Sequence, residues 1–412
     1  MSRFWHPFAD MAAVSAGEEF VLDSGAGVRL RDTAGRDYLD ATASLWYANV
    51  GYGRTEIATV IAEQATRLHA YSCFGDTATS TTLELADRLA GLAPVPDSAV
   101  FLTSGGSDSV DTAVKLALRY WNVKGQPHKS VFVIREHAYH GMHGAGTGLA
   151  GIDDNSAGYG ALYPEVRKVP WDNPEALAAA LDSVGPENVA AFFCEPVIAA
   201  GGVLPPPEGY LAAVREICRQ RDVLFVADEV VTGFGRTGDW FASARFGLDP
   251  DMVLCGKGIT SGYLPLGAVL IAPQVTEPFW GHPGRTTWRH GYTYSGHATA
   301  AAASLANIAI IEREGLCART LTTERRLTDL LTPLERHPLV SEVRSGTGLL
   351  GAVQLADPTL SGPVVAAMRE RGVLTRTIAG GALAVSPPLI IDDADLATIA
   401  SAFEDALTAV HA

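Results

Sequence analysis

The 412-residue sequence predicts an α/β fold, a mostly parallel sheet covered by helices on both faces and followed by a smaller α+β region. Three observations predict it. Short, near-continuous apolar runs recur along most of the chain. Each ends in a glycine- or serine-rich corner, and several lead on into an amphipathic stretch. After His297 that grammar stops, and long helical segments alternate with short strands.

The elements follow in order. Residues 27–41 (GVRLRDTAGRDYLDA) read as a hairpin, because two alternating runs flank Ala34-Gly35. Apolar runs at 99–104, 130–134, 189–197, 223–230, 251–255 and 267–272 are the expected strands of the main sheet. GGSDSVDTAVKLALRYW and GYLAAVREICRQ are the clearest helices between them. Beyond His297, HATAAAASLANIAIIEREG is helical, with short strands expected within 341–355 and at 382–385. The chain divides into an N-terminal segment (1–50), a large part (51–296) and a smaller C-terminal part (297–412).

A composition of 47% hydrophobic and 19% charged residues supports a large core. The net charge of −15 argues against a nucleic-acid partner and against an anionic membrane surface. Five scattered cysteines without a C-x-x-C pair fit a reducing compartment. No apolar stretch is long enough to span a membrane, and the N-terminus lacks a signal-peptide core. A cytoplasmic location is expected.

Some motifs are decoys. GTGLAG (146–151) and GTGLLG (346–351) match G-x-G-x-x-G, but neither joins a buried strand directly to a helix, so a dehydrogenase-like or non-catalytic nucleotide binder is only the alternative reading from another class. His137, His140 and His143 are spaced three apart, yet glycines break any helix that would gather them, and no metal is expected.

Three features carry chemistry. In TSGGSDSVDTAVKLA a strand turns into a helix at Gly106 and Ser107, whose backbone N–H groups could cradle a phosphate; the plainer reading makes Ser107 an N-cap. Asp228 and Glu229 end a very apolar strand, where a carboxylate needs a partner, either a salt bridge or a cation such as a protonated pyridine nitrogen. Lys257 follows between Gly256 and Gly258, at the end of the next strand. A lysine in a part-buried pocket has a lowered pKa and becomes a nucleophile toward carbonyls. A phosphate cradle, a carboxylate for a ring nitrogen and a Schiff-base lysine are the anchors of pyridoxal 5'-phosphate.

DEVVTGFGRTG, KGITSGYLPLGA and HGYTYSGHATAAAA, with SLWYANVGYG, EHAYHG, CEPVIAAGGV and SPPLII, resemble the signature blocks of the class III aminotransferases of fold type I, nearest the ω-transaminases. The resemblance implies a seven-stranded, mostly parallel sheet, with the N-terminal and C-terminal segments sharing the smaller region. It implies that Lys257 holds pyridoxal phosphate as a Schiff base and shuttles a proton, and that Asp228 keeps the pyridine nitrogen protonated. Val230 and Tyr139 would cover the ring faces, Gly106 and Ser107 would bind the phosphate, and Glu195 and His140 would complete the cofactor pocket. Thr293 would reach the phosphate of a neighbouring subunit, so a homodimer or a dimer of dimers is implied. Trp46 and Arg376, with Tyr139, would line the substrate side, Arg376 gripping a carboxylate with its planar fork. Alternatively Arg376 is a surface arginine on a loop.

One departure is in the phosphate loop. Where the family commonly has Ser-Gly-Ser-Glu, this chain has Gly105-Gly106-Ser107-Asp108, one hydroxyl fewer, and weaker phosphate contacts are expected. The implied reaction is a ping-pong transfer from an amine or ω-amino acid to a keto acid, pyruvate foremost. An aminomutase or a decarboxylating transaminase is the alternative within the fold. Aromatics at Phe4, Trp5, Trp46, Tyr47, Phe74 and Tyr139 suggest an apolar side to the pocket.

Overall fold

A computed structural model describes residues 3–17, 19–281 and 286–411. The hairpin read from the sequence is the centre of a small sheet. In it β1 (Leu22–Ala26), β2 (Arg29–Asp32) and β3 (Asp37–Asp40) pair antiparallel, and Gly35, at φ 84°, makes the β2–β3 turn.

The main sheet has seven strands: β4 (Ala99–Thr103), β5 (Val131–Arg135), β6 (Val166–Val169), β7 (Val189–Cys194), β8 (Leu224–Asp228), β9 (Met252–Cys255) and β10 (Gly267–Ile271). Their spatial order is β4-β10-β9-β8-β7-β5-β6. Only β10 runs antiparallel to its neighbours. The reason lies in residues 256–266, which link β9 to β10. That link holds a single 3₁₀ turn, Lys257–Ile259, and a parallel return needs a crossover long enough to climb back along the sheet. Six strands coincide with the apolar runs. The seventh, β6, is an edge strand with exposed Arg167 and Lys168, so no apolar run marks it.

The central strands bury both faces, in two separate cores. Val133, Phe192, Phe225 and Val253 point to one, with Leu177, Tyr210 and Val214 of the covering helices Pro174–Val184 and Tyr210–Gln220. Phe132, Phe193, Val226 and Leu254 point to the other, with Val110, Val114 and Trp121 of the helix Gly106–Val123. This is the alternation a sheet covered on both sides requires.

The C-terminal strands β11 (Val340–Arg344), β12 (Gly351–Leu355), β14 (Thr377–Ile378) and β15 (Ala382–Val385) form an antiparallel sheet in the order β11-β12-β15-β14. The short strand β13 (Val373–Leu374) leaves that region and pairs parallel with β3, Val373 opposite Leu39 and Leu374 opposite Asp40. The N-terminal hairpin and the C-terminal region thus share a sheet. The alanine-rich helix Ala298–Arg313 lies against the helices Thr55–Leu68 and Ser80–Leu92. Among the described residues, no helix is long and apolar enough to cross a membrane. All five cysteines are free.

Candidate active site

The carboxyl ends of β4, β5, β7, β8 and β9 converge on one cavity of about 230 Å³. Gly106, Ser107, Tyr139, His140, Glu195, Asp228, Val230 and Lys257 line it, as do Val110, Gly141, Ala200 and Val231.

Asp228 closes β8, paired with Leu254 of β9, and Lys257 follows three residues beyond that rung. Lys257 itself is left-handed (φ 45°), so the chain doubles back there and the side chain enters the cavity. Gly256 lets this turn approach the start of the helix at Gly106: a Cβ on it would lie 3.1 Å from the Gly106 nitrogen and 3.2 Å from Val230 Cγ1. Burial pulls the Lys257 ammonium down to about 8, against the attraction of Asp228 and then Glu195, while Arg376 pushes the same way as burial.

Asp228 is buried and bonded. Its Oδ2 accepts from His140 Nδ1 at 2.7 Å, and its Oδ1 from the Val230 N–H at 3.2 Å. His140 Nε2 is buried with no hydrogen-bond partner. Glu229 resembles its neighbour in sequence but points the other way, as alternation along a strand dictates. It accepts from Thr232 Oγ1 and from the N–H groups of Ala242 and Ser243, braces the following loop and does not line the cavity.

Helix Gly106–Val123 begins without a side-chain cap, its Ncap position being Gly105. Ser107 is therefore not the N-cap. Its Oγ accepts from the Met142 N–H at 3.1 Å, which leaves the hydroxyl proton to donate into the cavity. Asp108 braces the loop, accepting from the Ser104 N–H at 3.1 Å and meeting His143 Nε2 at 2.7 Å. His140 and His143 thus serve different carboxylates. Among the described residues, no group of three or more His, Cys, Asp or Glu is placed to hold a metal ion.

Glu195 holds the far wall. Its two oxygens accept from the N–H groups of Tyr139, at 2.9 Å, and Ala199, at 3.1 Å, and burial pushes its carboxyl above the ordinary range. Tyr139 is half-buried, its phenol raised by burial and then by Asp228. Trp46 adjoins the cavity. The Lys257 ammonium lies 5.8 Å from its ring centroid, and the Arg376 guanidinium stacks on it at 3.7 Å. Arg376 Nε is buried and unpartnered, and burial lowers this guanidinium to about 10. Arg376 is thus no loose surface arginine. Thr293 is exposed and stands outside this cavity. Phe4, Trp5 and Phe74 are exposed and do not line it. Gly141, Ala200 and Val231 carried no sequence signal of their own.

An uncapped helix end, a buried carboxylate and a desolvated lysine around one cavity fit pyridoxal phosphate, with Gly106 held free of a side chain by Val230. Comparison with known proteins agrees. The family model described as "Aminotransferase class-III" matches residues 11–407. The chain belongs to the class III aminotransferases. A probable aminotransferase of Mycobacterium tuberculosis is 38% identical, over 94% of this chain and 89% of its own length. A putrescine–pyruvate aminotransferase of Pseudomonas aeruginosa is 36% identical, over 96% and 92%. Among solved structures, the ω-transaminase of Pseudomonas jessenii in complex with PMP superposes with a TM-score of 0.92 at 33% identity, covering 99% of this chain and 96% of that one. As a class III aminotransferase the protein depends on pyridoxal phosphate and acts on small amines and keto acids.

Proposed function

We propose that this class III aminotransferase is an ω-transaminase that transfers the amino group of an amine or ω-amino acid to pyruvate, in ping-pong order. The observation that carries the reading is Lys257, an ammonium lowered to about 8 in the same cavity as Asp228 and an uncapped helix N-terminus. Pyridoxal phosphate, when bound, supplies an aldehyde that accepts amino groups and an electron-poor ring that stabilises negative charge on the adjacent carbon.

The chain's own residues do the rest. Lys257 Nζ would be the covalent anchor and, as a free neutral amine, would take the proton from the amine-bearing carbon of the substrate and hand it on to the neighbouring carbon that had carried the aldehyde. A pKa of about 8 leaves roughly a tenth of such amines neutral at pH 7, against well under a thousandth for an ordinary lysine. Asp228, held by His140, offers its carboxylate to the ring nitrogen. Gly106 and Ser107 bind the phosphate with backbone N–H groups and one hydroxyl. Val230 and Tyr139 cover the ring faces, and Glu195 fixes the Tyr139 backbone.

Arg376 binds the acceptor carboxylate, its buried, unpartnered Nε and its place against Trp46 supporting this. Thr293, exposed and outside its own cavity, serves the phosphate of a second copy in a homodimer. The division at residues 50 and 296 belongs to the same reading and is supported by the pairing of β3 with β13. The name of the putrescine–pyruvate relative favours pyruvate. The test is alanine formation from pyruvate across a panel of amines and ω-amino acids. Alanine produced at the expense of the donor is expected. Isomerisation of a donor without added keto acid would overturn the reading in favour of a mutase.

A further inference from the structure

Asp40 is a buried carboxylate that the reaction does not use. It ends β3 and accepts four hydrogen bonds. Oδ1 takes the Thr42 N–H at 2.8 Å and the Thr42 hydroxyl at 3.0 Å. Oδ2 takes the Ser44 N–H at 2.7 Å and the Tyr52 phenol at 2.6 Å. A backbone N–H donates to each oxygen, so the turn holds both as acceptors.

The segment it grips is strained. Ala43, Ser44 and Trp46 have φ of 46°, 57° and 63°, in the left-handed region that side chains avoid. Three such residues in four persist only where the surroundings over-determine them. Their consequence is the direction of Trp46, whose ring faces Lys257 and carries Arg376, and whose Nε1 donates to Ser386 Oγ at 3.1 Å.

Arg376 departs from the same rung. Leu374 of β13 pairs with Asp40, the Ala41 N–H donates to the Leu374 carbonyl at 3.0 Å, and Arg376 follows two residues later. The charge of Asp40 also acts on Arg376, favouring its cationic form. Both partners of the Trp46–Arg376 stack therefore leave the sheet at Asp40.

We propose that Asp40 is a positioning residue for carboxylate-bearing substrates: it locks the left-handed turn that stands Trp46 against Arg376, and so sets the affinity for keto acids but not for amines that lack a carboxylate. The assignment rests on Arg376 as the carboxylate-binding group.

Asp40→Asn tests it. The amide keeps the shape but presents N–H to at least one backbone N–H, which cannot turn away as a hydroxyl can. The two half-reactions of the holoenzyme are followed separately by cofactor absorbance, one with 1-phenylethylamine and one with pyruvate. In Asp40→Asn the apparent Kd for pyruvate is expected to rise about tenfold or more, while the amine half-reaction stays within about threefold and the resting spectrum is unchanged. Tyr52→Phe removes a single bond to the same carboxylate and should raise the apparent Kd for pyruvate about threefold more than it changes the amine half-reaction, read as the ratio of the two in one preparation; it decides the matter if Asp40→Asn does not fold. Arg376→Leu is the control. If it leaves pyruvate binding unchanged, the carboxylate role of Arg376 falls and this inference with it. If it weakens pyruvate binding while the folded Asp40 and Tyr52 variants do not, or weaken both half-reactions equally, only the role of Asp40 is overturned.

Discussion

Replacing Gly106 with alanine should loosen the cofactor by an amount that the structure bounds. A Cβ at this position would lie 2.7 Å from Val230 Cγ1, closer than real Cβ atoms approach, and 3.0 Å from Cγ2, a tight contact. Val230 is β-branched and stiff at χ1, and its N–H is tied to Asp228 Oδ1 at 3.2 Å, so it cannot retreat without moving the carboxylate. Overpacking of this kind costs about 1–3 kcal/mol. If that cost falls on the bound state, affinity for pyridoxal phosphate drops about 5- to 150-fold. Titration of apo-protein by absorbance measures it, in a cycle of Gly106→Ala, Val230→Ala and the double variant. Val230→Ala alone should also weaken binding, because on the proposed reading it removes a side chain that covers the ring. The signature is that the double variant binds no worse than Val230→Ala, a coupling of about 1 kcal/mol or more. Wild-type affinity in Gly106→Ala, or additive losses in the double variant, would refute the reasoning.

Other consequences concern charge. The Lys257 ammonium has a folded pKa of about 8 against an ordinary 10.5, so between those values the unfolded apo-protein binds a proton that the folded one does not. Apo-protein stability should therefore rise with pH across that window, by up to about 3 kcal/mol. Urea unfolding of apo-protein at pH 7.5 and 10 should show this rise relative to Lys257→Met, and parallel behaviour of the two would contradict it. His140→Phe takes from Asp228 its only side-chain donor among the described residues and should cost about 1–3 kcal/mol in kcat/KM, whereas His140→Asn, whose amide can still donate, should recover part of it. Steady-state kinetics of both variants decide this, and equal losses would deny the hydrogen bond a role.

Much of this architecture is legible in the sequence because buried parallel strands have no polar face to hide. The runs that became β4, β5, β7, β8, β9 and β10 announce themselves. β6, whose VRKV carries charge on an open edge, does not. The reversed direction of β10 is invisible in GAVLI, since a buried strand has the same composition either way. It follows from the short link after Lys257. In the site, Lys257, Asp228 and the Gly106–Ser107 corner stand out because charge and glycine at the end of an apolar run demand a reason. Their neighbours do not. Glu229 looks as anomalous as Asp228, and only strand alternation sends it into the following loop. Trp46 is one aromatic among several, and its place beside Lys257 depends on a left-handed backbone and on a rung shared by Asp40 and Leu374. Long-range pairing of that kind leaves no trace in local pattern.

The central claim is that Lys257 carries the cofactor. Borohydride reduction of the holoenzyme followed by peptide mapping tests it most directly. A pyridoxyl group on Lys257 alone, and none on any lysine of Lys257→Ala, is the predicted result. A stoichiometric label on another lysine, or a protein reconstituted with pyridoxal phosphate that takes no label, would contradict it.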